Sequence, residues 1–374
     1  MSDTVTICLC GDVMTGRGID QVLPHSGSPE LRETYVRDAR DYVKLAEAAN
    51  GPIARPVGFR ELWGDVPAAL RRVRADALVI NLETSITTSD DFWPDKGVHY
   101  RMHPANVAAL GALHPSCCVL ANNHVLDFGY TGLEETLETL QRAGLVSAGA
   151  GRDAAEAAAP AIVHLPAGAG RLLVFAFGAA SSGIPRTWAA DVGKAGVSLL
   201  RDLSPSTARR VVAAVERIRQ PRDIVVASIH WGGNWGYTIE PEQRSFAHAL
   251  IDSGAVDAVH GHSSHHTQGL EIRRDKPILY GCGDFLNDYE GISGYESYRG
   301  DLALMYVAAF DSSGRSLVEL RVLPFEIRGF VPRAASAASA EWVESMLTRE
   351  GADLGTVAAL GADGSVVVKP ATRA

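Results

Sequence analysis

The chain has 374 residues, 46% hydrophobic and 21% charged, enough for one large α/β domain or two smaller ones with the composition of an ordinary globular protein. A net charge of -9 excludes a nucleic-acid binder that works through a basic surface. It leaves a small anionic ligand or a peptide open.

The first ten residues lack the basic start and long apolar run of a secretory leader. The most apolar internal run, Leu172 to Ala180, is about half what a membrane-spanning helix needs. The expectation is a cytoplasmic protein with no membrane partner and no nucleic-acid partner. Five cysteines, odd in number and without a CxxC pair, read as reduced core residues.

In chain order, Val5 to Cys10 alternates as a first strand and runs into the glycine-rich turn Gly11 to Gly18. Asp12 then stands at a sheet edge, either as a metal ligand or as a helix cap. The turn has neither GxGxxG nor a GK[ST] ending, so it is not a nucleotide loop. Residues 24–65 carry Pro, Gly and mixed charge around a short helix, the pattern of an insertion or lid. A short helix from Pro67 leads to the buried strand Asp76 to Thr84, which ends in Asn81 and Glu83.

After His99-Tyr100-Arg101 and a helix from Pro104 to Leu113, the apolar run Ser116 to Leu120 enters Ala121-Asn-Asn-His-Val-Leu-Asp-Phe-Gly129. That loop offers an amide, an imidazole and a carboxylate within five residues, ahead of a helix with Leu133, Leu137 and Leu140 at helical spacing. A strand pair, 161–165 and 171–177, and a helix over 204–219 come next. Three more strands then end in ligand types: His230, His262 with His265, and Asp284 with Asp288. The tail beyond Gly329 holds a linker, a helix over 341–349 and a short strand over 365–369. One domain over 1–330 with a C-terminal extension over 331–374 packing on it is the expected organisation.

Carboxylates, one amide oxygen and imidazoles gathered at strand ends suit a hard or borderline divalent cation. In open α/β sheets, ligands bind beyond the carboxyl ends of the strands. The candidate ligands are Asp12, Glu83, Asn123, His230 and His262, and the expected cofactor is one divalent ion: calcium, manganese or magnesium.

The order Gly-Asp, Asn-Leu-Glu, Asn-His, an isolated strand-end His and Gly-His-x-x-His resembles the calcineurin-like metallophosphoesterases, and more closely the CapA family of poly-γ-glutamate capsule proteins. The matching segments include Gly11-Asp12, Asn81-Leu-Glu83, Asn122-Asn-His124, His230-Trp-Gly232, Gly261-His-Ser-Ser-His265 and Gly283-Asp-Phe-Leu-Asn-Asp288. The resemblance implies an α/β sandwich of two mixed sheets flanked by helices, with a metal site at one edge.

Four positions depart from the usual pattern. Met14 replaces a first-motif histidine, Glu83 an aspartate and Asp284 an asparagine, and two residues rather than one separate His262 from His265. A hard cation does not choose a thioether, so the loss points to a single ion. His124 lies near Asp127, and His265 comes near Asp284 or Asp12, giving two His/acid pairs. Opposed acid/base groups are what stereoinversion next to a carbonyl requires. CapA-like proteins also include peptide epimerases of lasso-peptide maturation, so the resemblance implies a metal-dependent epimerase acting on a precursor peptide, with His124, Asp127, His265 and Asp284 catalytic. The alternatives are a metal-dependent phosphoester hydrolase or a poly-γ-glutamate biosynthesis protein of the CapA type, and a non-catalytic binding module. Arg101, Trp231, Trp235 and Tyr237 are candidate substrate contacts, the aromatics being equally readable as core packing.

Overall fold

The structure, a computed structural model, describes residues 4–311 and 316–371. Two sheets face each other, and the first strand, Thr4–Val13, lies near the middle of the larger one. Up to Cys10 its residues divide by parity: Val5, Ile7 and Leu9 enter the core between the sheets, while Cys8 and Cys10 enter the core beneath the outer helices, and a shift of register between Cys10 and Asp12 puts Val13 on that second side. Both faces are therefore covered, and the strand is apolar almost throughout.

The larger sheet is mixed. Thr4–Val13 runs parallel to Ala77–Leu82 and to Asp284–Leu286, and antiparallel to Leu302–Asp311. The second sheet places Ile224–His230 between Arg171–Gly178 and Ala258–His262, all parallel, with antiparallel strands at its two edges. Helices Pro205–Glu216 and Pro241–Asp252 cover its outer face, contributing Val211, Phe246 and Leu250. Helices Val66–Val73, Ala108–Leu113 and Gly129–Arg142 do the same for the larger sheet. This is the expected α/β sandwich of two mixed sheets flanked by helices.

The sequence reading assigns no element to 302–328, yet Leu302–Asp311 and Leu317–Arg328 are long strands beside the centre of the larger sheet. Leu302–Asp311 is a buried apolar run with little of the period-two signal by which strands are recognised, whereas Leu317–Arg328 carries that signal over Val318-Glu-Leu-Arg-Val322 and the sequence reading passes over it. Val331–Ala334 and Val366–Pro370 both pair with Leu317–Arg328, so the tail completes that sheet. Within 24–65 the helix Arg40–Asn50 buries Tyr42, Val43 and Ala46. All five cysteines are buried and free. Among the described residues no helix is long and apolar enough to cross a membrane.

Strand register brings the ligand types level with one another. Asp12 stands beside Asn81 on one neighbouring strand and Asp284 on the other, and His230 stands beside His262. All these positions lie toward one edge of their sheets, where the parallel strands turn into loops.

Candidate metal centre

Asp12 is the hub. Its Oδ1 accepts from Asn81 Nδ2 at 2.6 Å and lies 3.9 Å from His262 Nδ1, while its Oδ2 accepts the Ser263 N–H at 3.2 Å. His230 Nδ1 is 2.8 Å from His262 Nδ1, and His230 Nε2 is 2.9 Å from Asn123 Oδ1. Glu83 Oε1 approaches His230 Nε2 at 3.8 Å and His124 Nε2 at 3.7 Å. On the other side of Asp12, His265 Nδ1 meets Asp284 Oδ1 at 2.9 Å. Two ligand groups result, Asp12 with His230 and His262 and Asp12 with His265 and Asp284, each with its atoms within 4.8 Å of one another.

The longer spacing between His262 and His265 has a backbone solution. Ser263 adopts φ 105°, a left-handed conformation that side-chain-bearing residues rarely take. It turns the chain so that both flanking histidines reach Asp12. Asp284 arrives through strand pairing, so Met14 does not empty that side of the hub; its Sδ lies 3.9 Å from the Tyr289 hydroxyl.

Without a cation the cluster is electrostatically costly. Burial, with Asp284 alongside, pushes Asp12 up to about 7, and burial, with Asp12 alongside, raises Glu83 well above the carboxylate range. Glu83 Oε2 is buried and has no hydrogen-bond partner. Carboxylates, an amide oxygen and imidazoles around an orphaned acceptor fit a divalent ion. Asp12, Glu83, Asn123, His230 and His262 are the residues that would hold it, and His265 and Asp284 extend the same set.

Beside this centre, His124 Nδ1 meets Asp127 Oδ2 at 2.7 Å, and Asp127 Oδ2 also accepts the Tyr100 N–H at 2.7 Å. Lys96 is the residue that sequence reasoning missed here. Its Nζ pairs with Asp127 Oδ1 at 2.7 Å, without an aligned hydrogen bond to that oxygen, and lies 2.9 Å from His124 Nδ1. Asn122 is a second omission: its Nδ2 donates to Asn81 Oδ1 and Leu82 O, and its Oδ1 accepts the His124 N–H. Asn122 stands inside the matching Asn-Asn-His motif without being named a site residue, whereas Lys96 carries no signal beyond its residue type.

Of the four proposed substrate contacts, Trp235 and Tyr237 share one aromatic cluster, both packing on His266 and Tyr298, while Trp231 and Arg101 lie apart from it. Trp235 lines a cleft of about 350 Å³ together with His265, Tyr289 and Tyr295. Tyr237 packs on His266 at 4.8 Å with Arg349 over its ring. Trp231 is buried, donates to Tyr280 O at 2.8 Å and stacks on that ring in the core. Arg101 is tied to Asp90 and Ser89 O, with its guanidinium over Phe128. Asp288 is occupied by Arg17. A cleft of about 1090 Å³ opens beside Thr4, Arg74 and Lys369, at the start of the first strand and away from the centre at its end.

Two packed sheets with a carboxylate, amide and imidazole cluster at their strand ends define a CapA-like protein. The chain belongs to the bacterial capsule synthesis protein family PGA_cap, whose profile matches residues 6–289. It is 47% identical over 372 residues to a probable polyglutamine synthesis accessory protein of Mycobacterium tuberculosis, covering 99% of this chain and 97% of that one. The capsule biosynthesis protein CapA of Bacillus anthracis is 22% identical over 77% of this chain and 61% of its own length. For the PGA biosynthesis protein CapA of Bacillus subtilis the figures are 23%, 88% and 73%. A solved phosphatase from Mycoplasma pneumoniae superposes with a TM-score of 0.46 at 10% identity, over 87% of this chain and 95% of that one.

Proposed function

We propose that this protein is a metal-dependent hydrolase of the CapA type serving poly-γ-glutamate synthesis. The observation that carries this reading is the convergence of two ligand groups on one buried carboxylate, Asp12, beside the orphaned Glu83 oxygen. The names of the relatives, a polyglutamine synthesis accessory protein and two CapA proteins, support the polymer.

A divalent ion in this setting supplies a Lewis acid and an activated water. The chain's own part is to hold the ligands rigid through strand register and to move a proton. His124 is placed for the second task, with Nδ1 fixed by Asp127 and Nε2 facing Glu83. The test offers the purified protein an aryl phosphate and a γ-glutamyl anilide with manganese. Turnover of one of them, lost in Asp12→Asn and Asn123→Ala, is expected; turnover of neither by the metal-loaded protein would overturn the proposal.

A second reading is a peptide epimerase, favoured by one observation: both His–carboxylate pairs form, His124 with Asp127 and His265 with Asp284. Two acid/base groups around one centre suit removal and return of an α-proton. Incubation with a precursor peptide in deuterated water would then place one deuterium at a single α-carbon. Absence of exchange in peptides encoded beside this chain would remove this reading.

A further inference from the structure

Ser228 and His260 lie one pleat behind the ligand histidines. The parallel register sets Ser228 opposite His260 and His230 opposite His262. Residues two apart on a strand share a face, so the four side chains form one block, and each is fully buried.

The hydrogens in this block can be counted from one end. His260 Nε2 lies 3.0 Å from the backbone oxygen of Cys10, an atom that only accepts. Nε2 therefore carries the single proton of the neutral ring, and Nδ1 accepts. Ser228 Oγ is 3.0 Å from that Nδ1, so the hydroxyl hydrogen goes to His260. A hydroxyl has one hydrogen to give, so the 2.9 Å contact between Ser228 Oγ and His262 Nε2 is donated by the imidazole. His262 is left with Nε2–H and a bare Nδ1. Nδ1 is the atom that faces Asp12 and His230.

We propose that Ser228 and His260 are positioning residues that lock His262 in its Nε2–H tautomer and so present Nδ1 as the ligand atom. The proposal rests on the reading of this site as a metal centre. A peptide carbonyl of the opposite sheet, Cys10 O, sets the polarity of the whole relay. The physical reason for such a relay is general: a ligating imidazole whose far nitrogen is held by a hydrogen bond keeps its orientation and tautomer, and losing that partner weakens the site. Packing alone does not require the two histidines and the hydroxyl to be in hydrogen-bond order. A Leu–Ala pair would fill the same strand positions.

The experiment uses the full chain, 15N-labelled at histidine and stripped with EDTA, and reads the tautomer of each ring from long-range 15N–1H correlations. Wild-type His262 is expected as Nε2–H, as is His260. In Ser228→Ala the His262 spectrum should show mixed tautomers, and in Ser228→Thr it should return to Nε2–H. Manganese affinity, measured by titration with the metal alone, should fall by roughly 10- to 100-fold in Ser228→Ala and in His260→Phe and recover in Ser228→Thr. A wild-type His262 protonated on Nδ1, or a Ser228→Ala protein with unchanged tautomer and unchanged manganese affinity, would overturn the proposal. If the wild-type protein binds no manganese, the functional reading fails, while the histidine spectra still decide the relay.

Discussion

The two His–carboxylate pairs have similar geometry and neighbours of opposite charge. His124 and Asp127 meet at 2.7 Å and His265 and Asp284 at 2.9 Å, both pairs buried. Lys96 stands over the first pair, 2.7 Å from Asp127 Oδ1 and 2.9 Å from His124 Nδ1, whereas Asp12 adds a second carboxyl beside the other imidazole. Burial, reinforced by Lys96 against the pull of Asp127, holds His124 down to about 4. Burial also works against charge on His265, but Asp284 and Asp12 outweigh it and raise that ring. In the ion-free protein one imidazole is thus a neutral acceptor at neutral pH and the other favours its proton. Environments that drive like groups apart in this way separate an acid from a base.

Removing the residue that serves both ligand groups has the largest expected effect. Asp12→Asn should weaken manganese binding by more than ~100-fold, beyond what loss of an outer partner costs. Retained affinity in a direct titration would show that Asp12 is not the hub. Lys96→Met attacks the asymmetry itself. With the opposing cation gone, the His124 pKa should move up in an NMR titration of the EDTA-treated protein, while His265 stays raised. An unmoved His124 would leave burial as the whole cause.

Stability against pH gives the third test, read as thermal midpoints in EDTA. The folded pKa of His265 lies above its unfolded value near 6.5, so its contribution is present below about pH 6.5 and is lost as pH rises through the folded value. His265→Gln should therefore cost more stability at pH 5.5 than at pH 8.5. His124 has the opposite sign. Its folded value near 4 lies below the unfolded one, so it destabilises the fold as pH falls from about 6.5 toward 4. His124→Gln should accordingly cost less at pH 5 than at pH 8. Parallel profiles for the two variants would erase the distinction between the pairs.

The smallest effect is expected at Ser263. Its φ of 105° stores on the order of 1–3 kcal/mol of strain, and glycine relieves this while adding about 0.5–1 kcal/mol of unfolded-state entropy. Ser263→Gly should be as stable as the wild type or slightly more so, with manganese affinity kept. Ser263→Val should lose both, because a β-branched residue resists that conformation.

What the sequence discloses tracks how local each contact is. His124 and Asp127 are three residues apart in one loop, so their pairing is readable from spacing alone. His265 leaves a choice between Asp284 and Asp12, and both come to it, because neighbouring strands deliver the two carboxyls level with each other. Recurrence of ligand types at strand ends exposes the centre, and alternation exposes most of the sheet. Ser228 and His260 stay hidden because their meaning depends on the register of two strands about thirty residues apart. Lys96 stays hidden because a turn lysine is ordinarily a solvated charge. The strand Leu302–Asp311 lacks the alternation that would announce it, while Leu317–Arg328 shows it at Val318-Glu-Leu-Arg-Val322 and is readable.

The pairing of the first strand with Asp284–Leu286, and of Arg17 with Asp288 across 271 positions of sequence, has a consequence for biosynthesis. Asp12 leaves the ribosome long before its partners His265 and Asp284. Contacts of such long range form slowly and late. The nascent N-terminal half carries Asp12, Glu83 and Asn123 without His230, His262 and His265, a weak oxygen-only set. On the metal-centre reading, tight capture of an ion would wait until His230, His262 and His265 have been made.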